Sequence, residues 1–253
     1  MADNIIKSLQ KTINIIDYLA AEGEKGVTEI SKHFEISKSG AYNILHTLEL
    51  NHWIQKNETN DKYHLGIRLF ELGNVVRSRF ELRKIALKYM EEIVSKTNET
   101  VHLTVFNDKE IIYVESAQPE NKLAFSPVIG RRVHMHCTGV GKAILAYQPE
   151  DIINSIIDQG ELPRFTPNTI TNPEKLKEHL KEIRERGYSI DDIEHEFGVR
   201  CVGAPIRNEK GEVFASMSIT GPSPRFPDNK IEEYSRFLIE ATNKISRQLG
   251  WPG

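Results

Sequence analysis

At 253 residues, 39% hydrophobic and 27% charged with a net charge of −3, the chain can hold two ordinary globular domains and is neither membrane-like nor disordered in composition. No run approaches the roughly 18 apolar residues a membrane span needs, and the N-terminus lacks a signal-peptide h-region. Two cysteines, Cys137 and Cys201, are too few for a disulfide framework, so a reducing cytoplasm is the expected setting.

Ile6, Leu9, Ile13, Ile16 and Ala20 recur at three- and four-residue steps. They predict an amphipathic first helix that ends near Gly23 or Gly26 and packs behind the next segment. That segment, 27–50, reads as two short helices joined by a tight turn. Val27, Ile30 and Phe34 give the first an apolar face, and Ala41, Ile44, Leu45 and Leu48 give one to the second. Ser37 and Ser39 are N-cap residues, so the second helix should begin near Lys38. Its opposite face carries Lys38, Ser39, Tyr42, Asn43 and His46, donors and acceptors spaced for one side of a helix lying in a major groove. A solvated helical hairpin would show the same period, and residues 53–66 decide between the two. Trp53 to Lys56 and Lys62 to Gly66 flank a polar tip and predict a β-hairpin, which completes a winged helix-turn-helix. Lys56 and Lys62 on this wing would hold phosphates without reading sequence. Charge argues the other way: residues 1–66 hold seven lysines against nine carboxylates. A module so weakly charged needs dimerisation to bind DNA well.

Residues 67–82 predict a linker helix too apolar to stand alone in water, with its copy in a second subunit or its own chain as partner. From residue 83 onward an amphipathic helix, with Ile85, Ala86, Tyr89, Met90 and Ile93 on one side, gives way to a period of two. Val101, Leu103 and Val105 alternate with His102 and Thr104, and Ile111 to Val114 return as a second strand. Further strands are expected at 123–128 and 132–136, and a hairpin at 199–207 and 212–220. Helices are expected at 138–147, 149–159, 173–186 and 228–249. The region 191–196 reads as a charged loop. The predicted class is α+β, with a DNA-binding domain at 1–66, the linker at 67–82 and a second domain at 83–253.

Chemistry-bearing residues gather in the second domain. The stretch 134–142, HMHCTGVGK, runs from a strand into a helix whose glycine-rich start offers backbone N–H groups to an anion. It lacks the spacing of a phosphate-binding loop, which argues against nucleotide. Neither cysteine lies in sequence typical of a catalytic nucleophile, so no enzyme is expected. Cys137, Asp191, Cys201 and His136 are legitimate zinc ligands without the close pairing of a zinc motif. Ser216, Ser218 and Thr220 alternate along the last strand and face one side. With Asp191 and the helix start they would suit a pocket for a small polar metabolite.

SLQKTINIIDYLA, VTEISKHFEISKSGAYNILHTL, KYHLG, HMHCTGVGKAILA, RGYSIDDIEHEFGVRCVGAPI and ASMSITGP together resemble the isocitrate lyase regulator (IclR) family of bacterial transcription factors over nearly the full length. The resemblance implies a winged helix, a linker helix and a GAF/PAS-like effector domain. It also implies dimers, often paired as tetramers, whose DNA binding changes when a small organic or aromatic acid docks. Carried over by position, the effector pocket falls on Gly139, Val140, Asp191, Val199, Cys201, Ser218 and Thr220, with Leu123 and Phe125 as an apolar wall. Val140 and Thr220 are larger than the residues common at those places, which implies a tighter pocket. Some relatives hold a metal there, so Cys137, Asp191 and Cys201 remain the alternative, a zinc-binding sensor. The expected protein is a repressor of a catabolic operon that binds double-stranded operator DNA.

Overall fold

The computed structural model describes residues 5–120, 129–157 and 162–253. The chain divides into two compact units, residues 1–80 and 81–253.

The first unit begins with α1 (Lys7–Glu22), which stops where Gly23 takes a φ of 74°. Then come α2 (Val27–His33), α3 (Lys38–Leu50), the short strands β1 (Ile54–Lys56) and β2 (Tyr63–Leu65), and α4 (Ile67–Arg79). Ser37 caps α3 as its spacing predicts, its Oγ accepting from the Gly40 N–H at 3.0 Å. The turn between α2 and α3 is pinned by Ser31 Oγ, which donates to Ile36 O at 2.7 Å. Ile15, Leu19, Ile30, Ala41, Leu45, Leu48, Ile54 and Tyr63 form the core.

One expectation is corrected. Ile6, Leu9 and Ile13 are exposed, and the face of α1 that enters the core carries Ile15 and Leu19. This helix bears apolar residues on two sides; at about 100° per residue Ile15 lies well away from Ile6 and Ile13. Periodicity finds both stripes and cannot say which one meets the core. On α4 the same excess appears, with Phe70 and Val76 68% and 70% exposed and no residue of the helix buried.

The second unit runs α5 (Glu81–Thr97), β3 (Thr100–Asn107), β4 (Glu110–Ala117), β5 (Arg132–Val133), α6 (Gly139–Leu145), α7 (Glu150–Ile157), α8 (Pro173–Arg186), β6 (Ser189–Asp192), β7 (Val199–Arg207), β8 (Val213–Pro222) and α9 (Asp228–Gln248). Among the described residues the strands form an antiparallel sheet in the order β5-β4-β3-β8-β7-β6. The expected strand at 123–128 lies outside the described residues. The one expected at 132–136 is shorter, because His134 already turns the chain and its carbonyl accepts from Thr138 Oγ1 at 2.9 Å. The expected charged loop begins as a strand, β6, paired to β7 with Asp191 opposite Cys201.

The sheet has two unlike faces. Alternate residues Val101 and Leu103, Met217 and Ile219, and Val202, Ala204 and Ile206 are buried and give a dry layer under α5 and α9. The intervening residues are polar: Thr100, His102 and Thr104 on β3, Ser216, Ser218 and Thr220 on β8, Ser189 and Asp191 on β6. This second face receives α6. Ser216 Oγ donates to Val140 O at 2.9 Å, and Ser189 Oγ donates to Gly139 O. A side chain at Gly203 would place its Cβ 2.5 Å from Gly139 O, so glycine there lets the start of α6 lie directly on β7. Behind α6, Ile144, Leu145, Ile153, Leu176, Leu180 and Ile183 join Ile111 in a further apolar cluster.

Candidate functional site

In the first unit, Ala41, Leu45 and Leu48 hold α3 to the core, which turns Lys38, Ser39, Tyr42, Asn43 and His46 outward. All five are exposed on one face. Tyr42 and His46, one turn apart, stack with ring centroids 5.8 Å apart. Ser39 Oγ lies 3.1 Å from Ser37 Oγ. The side chains of Lys38 and Asn43 make no hydrogen bond or ion pair among the described residues, which leaves their polar groups available to a partner. The wing differs from expectation in charge. Lys56 Nζ pairs with Asp61 at 2.6 Å and Lys62 Nζ with Glu29 at 3.4 Å, so both cations are already matched. Exposed pairs of this kind contribute little to stability and can be exchanged for phosphate.

In the second unit a cavity of 260 Å³ opens between the polar face of the sheet and the start of α6. Gly139, Val140, Asp191, Val199, Cys201, Ser218 and Thr220 all line it, gathered from α6, β6, β7 and β8. Leu123 and Phe125 lie outside the described residues. Sequence reasoning missed His102, Tyr113, Arg131, Val133, Thr138, His195 and Glu196, which complete the lining. The alternation of His102 and Thr104 with Val101 and Leu103 was the available signal. In an antiparallel sheet it usually marks a solvent face; here both polar residues are buried.

Burial sets the electrostatics. Withdrawal from water pushes the Asp191 carboxyl up to about 7, opposed by Lys142 and by the Glu194 N–H, which donates to Oδ1 at 2.7 Å. Burial likewise raises the Cys201 thiol, whose sulfur accepts from Thr220 Oγ1 at 3.3 Å, and raises Cys137. The Cys137 sulfur lies 3.6 Å from His195 Nδ1, and burial lowers His195. Burial thus favours the neutral thiol and the neutral imidazole over the thiolate–imidazolium pair of a nucleophile. His102, lowered to about 3 by burial, is neutral, and its Nδ1 lies 3.1 Å from Ser116 Oγ. Among the described residues no group of three or more His, Cys, Asp or Glu side chains is arranged to hold a metal ion. Cys137, Asp191 and Cys201 do not form such a group there.

Beneath the pocket, Lys142 is fully buried and ion-paired with Glu194, its Nζ also 3.4 Å from His179 Nε2. Burial raises Glu194 against the pull of Lys142, and Glu194 Oε2 has no hydrogen-bond partner among the described residues. Because the Glu194 N–H bonds Asp191, this buried pair is tied to the pocket carboxyl through a single residue.

Comparisons with known proteins assign the two units. A family profile described as the IclR helix-turn-helix domain matches residues 8–58, and one described as the bacterial transcriptional regulator IclR C-terminal region matches 75–247. Three Escherichia coli relatives align along almost the whole chain. The HTH-type transcriptional regulator KdgR is 34% identical over 246 residues, covering 97% of this chain and 94% of its own length. The regulator XynR is 33% identical over 249 residues (98% and 99%), and the transcriptional repressor IclR 28% over 248 (97% and 90%). The crystal structure of the Thermotoga maritima IclR superposes with a TM-score of 0.77 at 37% identity, covering 98% of this chain and 100% of that one. An IclR homologue from Microbacterium hydrocarbonoxydans, complexed with 4-hydroxybenzoate, shares the fold at a TM-score of 0.82 and 23% identity, covering 96% and 98%. No helix among the described residues is long and apolar enough to cross a membrane. With a helix-turn-helix unit that presents an open polar helix face and a second unit that encloses a polar cavity, the chain belongs to the IclR family of DNA-binding bacterial transcriptional regulators.

Proposed function

We propose that this regulator is a cytoplasmic repressor of a catabolic operon, released from or held on its operator by a small organic acid bound in the second unit. The observation that carries the reading is the 260 Å³ cavity lined by all seven described residues expected at an effector site. Arg131 at its edge supplies a cation for a carboxylate, while Ser218, Thr220 and Asp191 supply hydroxyls and a carboxyl for oxygen atoms on the rest of the acid. The structurally similar homologue with 4-hydroxybenzoate supports an acid as the ligand class, and the relative named as a repressor supports the sign.

On the DNA side, α3 enters the major groove, where Asn43 reads base edges, Lys38 reaches a flanking phosphate, and Ser39, Tyr42 and His46 set the fit. Lys56 and Lys62 exchange their carboxylate partners for phosphates. A second copy of the chain covers the exposed apolar stripes of α1 and α4, making the dimer that a weakly charged reading head requires. Two dimers together would give the tetramer.

The test is fluorescence anisotropy with labelled DNA from upstream of the protein's own gene, read with and without pyruvate, glyoxylate, sugar acids and hydroxybenzoates, each with and without chelator. The expected result is tight binding to that DNA over random sequence, shifted by one acid and indifferent to chelator. Equal binding to random DNA would overturn the regulator's operator assignment. A shift that chelator abolishes would restore the metal sensor built on Cys137, Asp191 and Cys201.

A further inference from the structure

Strand β6 is four residues long and β7 nine, and their pairing stops at Ser189 opposite Gly203. Beyond Gly203 no strand pairs with that edge of β7 among the described residues. Pro205, which has no N–H to leave unpaired, suits such an edge. A cavity of 280 Å³ fills the notch. Strand β7 contributes Pro205 and Arg207 to it, α9 contributes Ile239 and Asn243, and two rings close it, Tyr147 just after α6 and Trp251 just after α9. It shares no lining residue with the 260 Å³ cavity under α6.

Arg207 is built into this notch. The β7–β8 register slips by one residue just before it, Ile206 facing Ala215 and Arg207 facing Val213, an irregularity of the kind that re-aims a side chain. Its backbone N–H donates to Ser246 Oγ at 2.9 Å, and its Nη1 donates to Gly211 O at 3.2 Å. The guanidinium lies 4.6 Å from the Tyr147 ring centroid and 5.5 Å from that of Trp251. Trp251 is fixed in turn, its N–H donating to Ser246 O at 3.0 Å. The cation is thus half-buried and held in place, in a cavity whose lining contains no carboxylate among the described residues. Burial raises the Tyr147 phenol, so it stays neutral and supplies no counter-charge.

A guanidinium anchored beside aromatic rings is a ready receptor for a planar anion. The ordering of its long side chain is already complete before anything binds, and its fork of N–H groups matches the two oxygens of a carboxylate. The rings of Tyr147 and Trp251, with Pro205 and Ile239, offer an apolar surface next to that charge. A small inorganic anion would leave this surface uncovered, and a neutral ring would leave Arg207 unmatched. We propose that the notch is a second small-molecule site, which takes a small aromatic carboxylate with its oxygens on Arg207 and its ring against Trp251 and Tyr147. The Asn243 side chain, at the same rim, serves as a further polar contact. This site is separate from the cavity under α6 and does not rest on the organic-acid reading of that cavity.

Trp251 supplies the readout, because the chain has two tryptophans and the other, Trp53, lies in the first unit. The experiment is a fluorescence titration of the full chain with benzoate, benzyl alcohol (the ring without the charge) and acetate (the charge without the ring). The variants are Trp251→Phe, Arg207→Met and, in the other cavity, Ser218→Ala. The expected result is a saturable change of emission with benzoate that is lost in Trp251→Phe and unchanged in Ser218→Ala. Benzyl alcohol and acetate should bind the wild type at least about tenfold more weakly, and Arg207→Met should weaken benzoate by a similar factor. An unchanged circular dichroism spectrum shows that Arg207→Met is folded; if it is not, the comparison of benzoate with benzyl alcohol on the wild type decides. No saturable response to benzoate, equal binding of benzyl alcohol, or full benzoate affinity in folded Arg207→Met would each overturn the site. Loss of the response in Ser218→Ala would also overturn it, by assigning the signal to the cavity under α6.

Discussion

Asp191 shows how one buried group couples the pocket to stability. Its carboxyl has a folded pKa of about 7 against an ordinary 3.8, raised chiefly by burial. Between those values the native state binds a proton that the unfolded state does not, so stability rises as pH falls through about 7 and is lost above it. Asp191→Asn should therefore raise the melting temperature at about pH 8 and leave it nearly unchanged near pH 4, in a pH series on the full chain. A constant difference at every pH would assign the effect to packing. Lys142 gives the complementary case. Replacing it by Met strands Glu194 as a buried unpaired carboxylate, and urea unfolding should show a loss of about 3–5 kcal/mol. Adding Glu194→Leu should recover most of that loss, because the apolar pair needs no compensation. On α3, Asn43→Ala should lower affinity for the operator and leave random-sequence affinity in place; equal loss on both would remove Asn43 from base contact.

At the scale of elements, the chain was legible wherever a local rule had one solution. Ser37 had one helix to cap, and α3 begins at the next residue. The hairpin of β7 and β8 comes from its turn and its alternation. Legibility failed where a pattern was ambiguous about direction. Helix α1 carries two apolar stripes, and only the tertiary fold shows that Ile15 and Leu19 face inward. Strand β6 was hidden because Ser189 and Asp191 are buried polar residues, and a strand written in polar letters reads as a loop. His102 was passed over for another reason: its strand was expected, but polar residues alternating on a strand usually mark a solvent face, and here that face is buried. The stripe left outside on α1, with its counterpart on α4, leads to a prediction at this scale. Val76→Glu, on a helix with no buried residue, should leave the unit folded by circular dichroism. In sedimentation it should shift the protein toward monomer. An unchanged oligomer would exclude α4 from the contact.

For the whole molecule, net charge makes DNA binding a matter of few, well-placed cations. If Lys38, Lys56 and Lys62 each reach a phosphate in both copies of a dimer, log affinity should fall with log salt at a slope near about −5. If Asp61 and Glu29 keep the wing lysines, two phosphate contacts remain and the slope should be about −2. Measuring the slope for the wild type and for Asp61→Asn with Glu29→Gln distinguishes the cases, since freeing both lysines steepens only the second. The connection between the units matters at the same scale. Helix α4 ends at Arg79 and α5 begins at Glu81, so Phe80, in extended conformation, is the one non-helical residue joining the linker to the effector unit. An acid can act on DNA binding only through a difference in its affinity for two arrangements of the chain, and this joint is the covalent route by which the two units are linked.

The sheet with unlike faces has a consequence for descent as well as for binding. Along β3 and β8 the residues that keep the domain folded and those that line the cavity alternate one by one: Val101, His102, Leu103, and Met217, Ser218, Ile219. Adjacent positions therefore answer to different selective pressures. Substitutions at every second position can retune which metabolite is sensed while the dry layer is inherited intact. A lineage of such regulators could diversify its chemical vocabulary within a single unchanged scaffold.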